Sequence, residues 1–309
     1  MTSTTTTTGS HTADPRTVDL DRAAEFVWRE ARLLDRRRFG HTFVAPDPDG
    51  VAAAVLAYRN PDGGFGHLEP DCRTPHSQPE ATRFALATLA EVDRLDDEIA
   101  APTVAWLETV STPAGALPFC LPSVEGFPRA PWWQPGDGAA NLNPTAALVG
   151  LLRTAGADSS WVRRAERWCF DEVDRRIAAG TAPDQYEVAC LGALVAHATD
   201  TDRAETASRW VVDHLGGGGV VPLDEPEVEG EADVHTPIEV APTPGHVWRA
   251  AFDDATIERS LDHLVASQAD DGGWPIGWRP PSDAAVLEWR GARTVDALRV
   301  LAANGRLRS

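Results

Sequence analysis

Small and apolar residues recur at helical spacing in eight stretches of this chain. Four have one apolar face: "DGVAAAVLAYRN" (49–60), "DDEIAAPTVAWLETV" (96–110), "RAETASRWVVDHL" (203–215) and "DDATIERSLDHLVASQ" (253–268). Four are more apolar all round: "SQPEATRFALATLAEV" (77–92), "NLNPTAALVGLLRTAG" (141–156), "PDQYEVACLGALVAHA" (183–198) and "RGARTVDALRVLAANG" (290–305). In the first of these, Ala81, Phe84, Ala85, Ala87 and Leu89 share a helical period. Helices of the second kind are expected to be buried on both sides. Asn143 before Pro144 suits a helix start. No alternating strand series appears, and "GGVVPL" (218–223) is too short to make one.

The two kinds of stretch alternate, and glycine-bearing turns separate them. "RNPDGGFG" (59–66) and "QADDGGW" (268–274) are the clearest, each an Asn/Asp-rich approach, then Gly-Gly, then an aromatic residue. Weaker copies surround Gly115 and Gly217. Gly63, Gly115, Gly217 and Gly272 are separated by 52, 102 and 55 positions, so one copy is degenerate, and the loop at Gly180 is its candidate remnant. A period near 50 implies stacked supersecondary units. The expected fold class is all-α, with helix pairs in tandem forming a solenoid or a closed ring. Residues 1–17, rich in Thr and without an apolar run, read as a disordered tail, and 18–309 as one domain.

Composition narrows the function. A formal charge of −19 disfavours phosphate-backbone binding, so no nucleic-acid partner is expected. All basic residues other than histidine are arginine, which removes a Schiff-base or P-loop lysine. No run of about 18 apolar residues suggests a membrane span, although peripheral contact stays open. Cys72, Cys120, Cys169 and Cys190 are widely spaced, with no CxxC pair, and read as reduced buried thiols. The expected compartment is the cytoplasm.

At "QADDGGW" and "RNPDGGFG" the chain resembles the superfamily of terpenoid cyclases and protein prenyltransferases. The first is similar to the glutamine–tryptophan turns of squalene and hopene cyclases, the second to the turns of prenyltransferase β subunits. The likeness extends over about residues 20 to 305 and is nearest to small bacterial prenyltransferase-like members. It implies a single α/α toroid whose inner helices surround a cavity, and isoprenoid chemistry within it. The protonating DxDD motif of such cyclases is absent. The nearest strings are Glu69-Pro70-Asp71-Cys72 and Glu229-Gly230-Glu231-Ala232-Asp233. The prenyltransferase zinc set of Asp, Cys and His is not identifiable, and arginine would have to grip any diphosphate.

The densest polar stretch, "HLEPDCR" (67–73), has no echo in the other repeats, so fold symmetry does not require it. In a toroid it would sit at the cavity mouth. Asp71 is the first candidate proton donor, Glu69 the second, and His67 completes the catalytic set. Helix capping or pairing with Arg59 or Arg73 is the alternative. Aromatic residues in turns, Trp132, Trp133, Trp274, Trp278 and Trp289, are candidates to bind an isoprenoid or stabilise a cation. Gln78, Asn141, Asn143, Tyr186 and Arg293, near inner-helix starts, complete the candidate substrate-binding set. Trp28, Trp161, Trp168 and Trp210 read as packing of outer helices.

No cofactor is expected. Zinc on His67, Asp71, Cys72 and His76 is a minor alternative, as is a divalent cation such as Mg2+ on the acidic stretch 223–235. The leading functional expectation is an isoprenoid-processing enzyme, cyclase-like or prenyltransferase-like, acting on a polyprenyl substrate. A non-catalytic toroid holding a lipid, peptide or protein partner is the second. A glycan-active α/α barrel pairing Asp71 with Glu187 or Glu288 is the third.

Overall fold

The computed structural model describes residues 18–136, 138–215 and 235–307. The tail, the expected turn at Gly217 and all of the acidic stretch except His235 lie outside the described residues. Within them the protein is all-α, with twelve α-helices and no strand beyond isolated bridges. In chain order these are α1 (Leu20–Glu30), α2 (Leu33–Phe43), α3 (Pro48–Leu56), α4 (Pro79–Glu91), α5 (Asp97–Val110) and α6 (Leu142–Thr154). They continue with α7 (Ser160–Ala179), α8 (Gln185–His197), α9 (Thr201–Leu215), the single turn α10 (Pro237–Val240), α11 (Asp254–Ala266) and α12 (Asp283–Ala303).

All eight stretches read from periodicity contain a helix. The last begins earlier than expected, at Asp283 rather than near 290, because Ser282 caps it by accepting from the Ala285 amide. The start of α6 falls at the expected Asn143–Pro144 pair. The Asn141 side chain caps it by accepting from the Asn143 amide at 3.0 Å, while Asn143 itself keeps an extended backbone. The region around Gly180, the expected remnant of a degenerate copy, is a helix end instead: α7 ends on Gly180 in the left-handed conformation, with Gly180 N donating to Ile177 O and Thr181 N to Arg176 O, and α8 follows.

The helices α4, α6 and α8 carry the deeper burial. Nearly every residue of α6 from Leu142 to Leu152 is buried, and α6 packs on α4, α7 and α8. At the other end of the chain, α12 packs on α1, α2 and α11. Arg38 of α2 stitches three of these helices together. Its guanidinium reaches Asp35 on its own helix, Glu91 at the end of α4 (2.7 Å) and Asp296 on α12 (2.6 Å).

The turn repeat is now explicit in hydrogen bonds. Asn60 N donates to Gly64 O and Gly63 N to Asn60 O; Thr112 and Gly115, then Ala269 and Gly272, repeat the pattern. After each turn, an amide donates to a threonine hydroxyl on the following even-numbered helix. Phe65 N reaches Thr82 at 3.1 Å, Leu117 N reaches Thr145 at 2.9 Å and Trp274 N reaches Thr294 at 3.0 Å. Each turn also abuts the next odd-numbered helix. Gly63 presses on the Pro102 carbonyl of α5, Gly115 on Ala165 of α7, and Gly272 on the Arg22 carbonyl of α1. The last repeat therefore leans on the first.

Candidate functional site

The segment 66–78 leaves the first turn and feeds α4. Its middle is held from two sides. Arg32 donates from Nη1 to the Leu68 carbonyl at 2.5 Å and pairs through Nε with the fully buried Asp35. On the other side, Ala130 N donates to the Asp71 carbonyl and Arg73 N to the Pro128 carbonyl. This bracing turns two acids inward: Glu69 and Asp71 are each only 4% exposed. Oε2 of Glu69 accepts from the Asp71 amide at 3.0 Å, and Oδ1 of Asp71 accepts from the indole N–H of Trp289 at 2.8 Å.

A third carboxyl joins them. Glu80, in the first turn of α4 and 6% exposed, accepts from Arg83 through Oε1, while its Oε2 is buried without a hydrogen-bond partner. Burial, with the negative neighbours Asp71 and Glu80, pushes the Glu69 carboxyl well above the usual carboxylate range. Aromatic rings line the same place. The Arg83 guanidinium lies 4.3 Å from the centre of the Phe84 ring. Trp289 stands edge-to-face with Phe84 at 5.9 Å and with Trp278 at 5.2 Å. The Trp278 indole N–H is buried and has no partner. A buried carboxyl whose pKa is raised, in a group that reaches aromatic rings through Asp71 and Trp289, has the chemistry to give a proton to an apolar molecule near faces that favour a cation.

The other expected site residues are spread around this centre. His67 is exposed with φ +57°, and its Nε2 lies 3.2 Å from Arg73 Nη1. Partial burial and that guanidinium lower its pKa, so the ring is neutral at pH 7. Arg73 in turn pairs with Glu288 at 2.8 Å. Arg293 pairs with Glu239, and Tyr186 stacks edge-on against His235 at 5.0 Å. Asn143 accepts from the Cys190 thiol at 3.3 Å. Cys190 lies close enough to Glu80 and Arg83 to feel both charges, and its burial pushes the thiol up to about 12.

Several candidates have structural partners. Gln78 is buried and spends both ends of its amide on the neighbouring loop, donating to Ser123 Oγ and accepting from Leu121 N. Trp274 is buried behind its turn and donates to the Leu264 carbonyl at 2.7 Å. Trp132 is 47% exposed, whereas Trp133 is 1% exposed in a small second core with Cys72, Cys120, Val124 and Ala130. Glu187 closes a capping box with Asp184 and pairs with Arg176. Among the described residues no three His, Cys, Asp or Glu side chains gather so as to hold a metal ion, and His67, Asp71, Cys72 and His76 are no exception.

Glu80, Arg83 and Phe84 belong to the site although sequence reasoning assigned them no role there, whereas Trp278 is one of the turn aromatics. Glu80 and Arg83 read as an ordinary first-turn acid with an i+3 partner. An open depression of about 460 Å³ borders the same segment at His76 and Ser77 and is lined also by Asn60, Asp62, Trp106 and Ser123. None of the three buried acids lines it.

No family model matches the chain, and a search of curated proteins finds no similar sequence.

Proposed function

We propose that the chain is a single α/α toroid and an isoprenoid-processing enzyme of the cyclase-like kind. The observation that carries the reading is the buried acid group Glu69–Asp71–Glu80 set against the rings of Phe84, Trp289 and Trp278. The ring closure rests on the three equivalent turns, the last of which leans on α1, and on the packing of α12 against α1 and α2.

In this reading Glu69, rather than Asp71, is the proton donor. The Glu69 carboxyl holds its proton because burial and two acidic neighbours disfavour its charge. Asp71 accepts from Trp289 and is the oriented partner. The Glu69 proton passes to one carbon of a substrate double bond. The π electrons form the new C–H bond, and the adjacent carbon becomes cationic beside the ring faces. A further double bond of the same chain then attacks that carbon and closes a ring. Loss of a proton, or capture of water with loss of a proton, ends the sequence. No cofactor is called for, and Glu69 recovers its proton from solvent.

Incubation with geranyl, farnesyl and geranylgeranyl diphosphates and with squalene, followed by mass spectrometry, tests this. The expected result is a cyclised product isomeric with its substrate, or heavier by one water, which disappears in Glu69→Gln. A product joined to a second acceptor would instead assign a prenyltransferase-like reaction. Binding without turnover would make the toroid a non-catalytic isoprenoid carrier. Neither binding nor turnover across the set would overturn the reading.

A further inference from the structure

The first and last glycine turns are built alike and differ in one part. Asp62 and Asp271 hold the same place, each accepting through Oδ1 from the amide two residues on, Gly64 at 2.9 Å and Gly273 at 3.1 Å. A ring stands against each of those glycines. A Cβ on Gly64 would meet Trp106 of α5 at 2.8 Å, and one on Gly273 would meet Phe26 of α1 at 2.6 Å. In the last turn an arginine joins acid and ring. Arg290, four residues before Thr294, forks onto Asp271 at 2.7 and 2.8 Å, with its guanidinium 4.6 Å from the centre of the Phe26 ring.

The equivalent residue in the first repeat is Gln78, four before Thr82, and its amide turns away to Ser123 and Leu121. Asp62 is exposed, and among the described residues no guanidinium pairs with it. Its carboxylate is nevertheless held in place, because Oδ1 accepts from the Ser77 hydroxyl at 2.7 Å as well as from the Gly64 amide. Where the last turn has its arginine, the first has the open depression of about 460 Å³, with Asp62 and Trp106 both in its lining. Pro61 and Leu121 add apolar sides that suit an alkyl stem. The middle copy has Ala114 and Cys169 at the places of acid and ring, so the pairing of the two belongs to the first and last repeats.

We propose that the depression at the first turn binds an alkylguanidinium, the end of an arginine, forked on Asp62 and set against Trp106 as Arg290 is on Asp271 and Phe26. A guanidinium is planar, matches a carboxylate with two parallel N–H groups and stacks on aromatic faces. An ammonium lacks the fork, so the site should prefer arginine to lysine. Glu69, Asp71 and Glu80 do not line the depression, so this binding is independent of the proposed catalysis.

Isothermal titration of the full chain with N-acetyl-Gly-Arg-Gly-amide, its lysine counterpart and methylguanidinium tests the proposal. The expected result is one-to-one binding of the arginine peptide about fivefold or more tighter than the lysine peptide. Methylguanidinium binding as tightly as the arginine peptide would identify a free guanidino compound as the ligand; a tighter peptide would identify an arginine of a polypeptide. Asp62→Asn keeps an acceptor for Gly64 and Ser77 but removes the charge, and should abolish the preference for arginine over lysine. Gln78→Arg, a second variant that leaves Asp62 and Trp106 in place, supplies the guanidinium from within and should weaken the arginine peptide about tenfold. No binding, or equal binding of the two peptides, would overturn the proposal. So would an arginine preference that survives Asp62→Asn, or Gln78→Arg should the Asp62 variant fail to fold. The polyene assay fails or succeeds separately, because this titration has no product in its readout.

Discussion

The indole N–H of Trp289 donates to Oδ1 of Asp71 at 2.8 Å, joining α12 to a loop that precedes α4 by way of residues 218 positions apart. One contact thus couples the end of the chain to its first glycine turn. Trp289→Phe should keep the ring against Phe84 and Trp278 but remove the donor from a buried carboxyl. The expected loss is about 1–3 kcal/mol of stability, read by urea or thermal unfolding. Trp289→Leu, which removes the ring too, should cost more. A Phe variant as stable as the parent would show that the bond contributes nothing.

The turns offer a sharper contrast. Gly272 has φ +93°, and a Cβ there would stand 2.1 Å from the Arg22 carbonyl oxygen of α1. Gly180 also has positive φ, at +64°, but a Cβ would meet nothing within 4 Å. Gly180→Ala should therefore cost only the backbone term, about 1 kcal/mol. Gly272→Ala adds a clash with main chain that cannot rotate away, and about 3 kcal/mol or more is expected. Similar melting temperatures for the two variants would contradict the account of how the last repeat leans on the first.

The repeat was legible in the sequence because its parts are local. Small apolar residues at helical spacing mark α4, α6 and α8, and the Gly-Gly turns announce themselves. The helix α2 was not legible, since "LLDRRRFGHTF" reads as a polar surface stretch. Its Arg38 is buried because it neutralises Glu91 and Asp296, far away in sequence, and Asp35 because Arg32 and Arg38 flank it; periodicity carries no record of the long-range compensation. The site shows the same division. "HLEPDCR" stood out because it breaks the repeat, and Glu69 and Asp71 are indeed buried. Glu80 did not, because a glutamate in a first helical turn is ordinary until its surroundings are known. Adjacent Trp132 and Trp133 make the limit plain: identical residues, one at 47% exposure and the other at 1%.

Arg38 joins α2, α4 and α12. Arg38→Ala would leave Asp35, fully buried, and Glu91, nearly so, with one cation fewer. Breaking a buried ionic network by removing one member costs about 3–5 kcal/mol. Equilibrium unfolding of the variant should show a loss of that order. Arg38→Lys should recover only part, because an ammonium cannot bridge in the planar, forked manner seen at Glu91. A loss under about 1 kcal/mol for the alanine variant would mean the network contributes little.

The four cysteines are all buried and unpaired. Burial pushes Cys72 and Cys120 up to about 11, Cys190 up to about 12, and Cys169 well above the usual thiol value. The thiolate is the reactive form, so at pH 8 each native thiol should alkylate with iodoacetamide at least about a hundredfold more slowly than a free cysteine. Full labelling should appear only on unfolding, counted by mass. Rapid modification of any one in the native protein would show that its surroundings open readily.

Glu69 links the proposed chemistry to stability. Its carboxyl is raised well above its ordinary value in the folded state, by burial first and by Asp71 and Glu80 next. The native state therefore binds a proton that the unfolded state has released, across the range between the unfolded and folded values. Stability from this group is fully present below the unfolded value and is lost as pH rises through the folded one. Thermal unfolding from pH 4.5 upward should show a decline that Glu69→Gln lacks, since the amide mimics the protonated acid and never ionises. The same substitution should abolish the proposed protonation at every pH. A Gln variant whose stability falls with pH in step with the parent would place the titration elsewhere and remove Glu69 as the carrier of the proton.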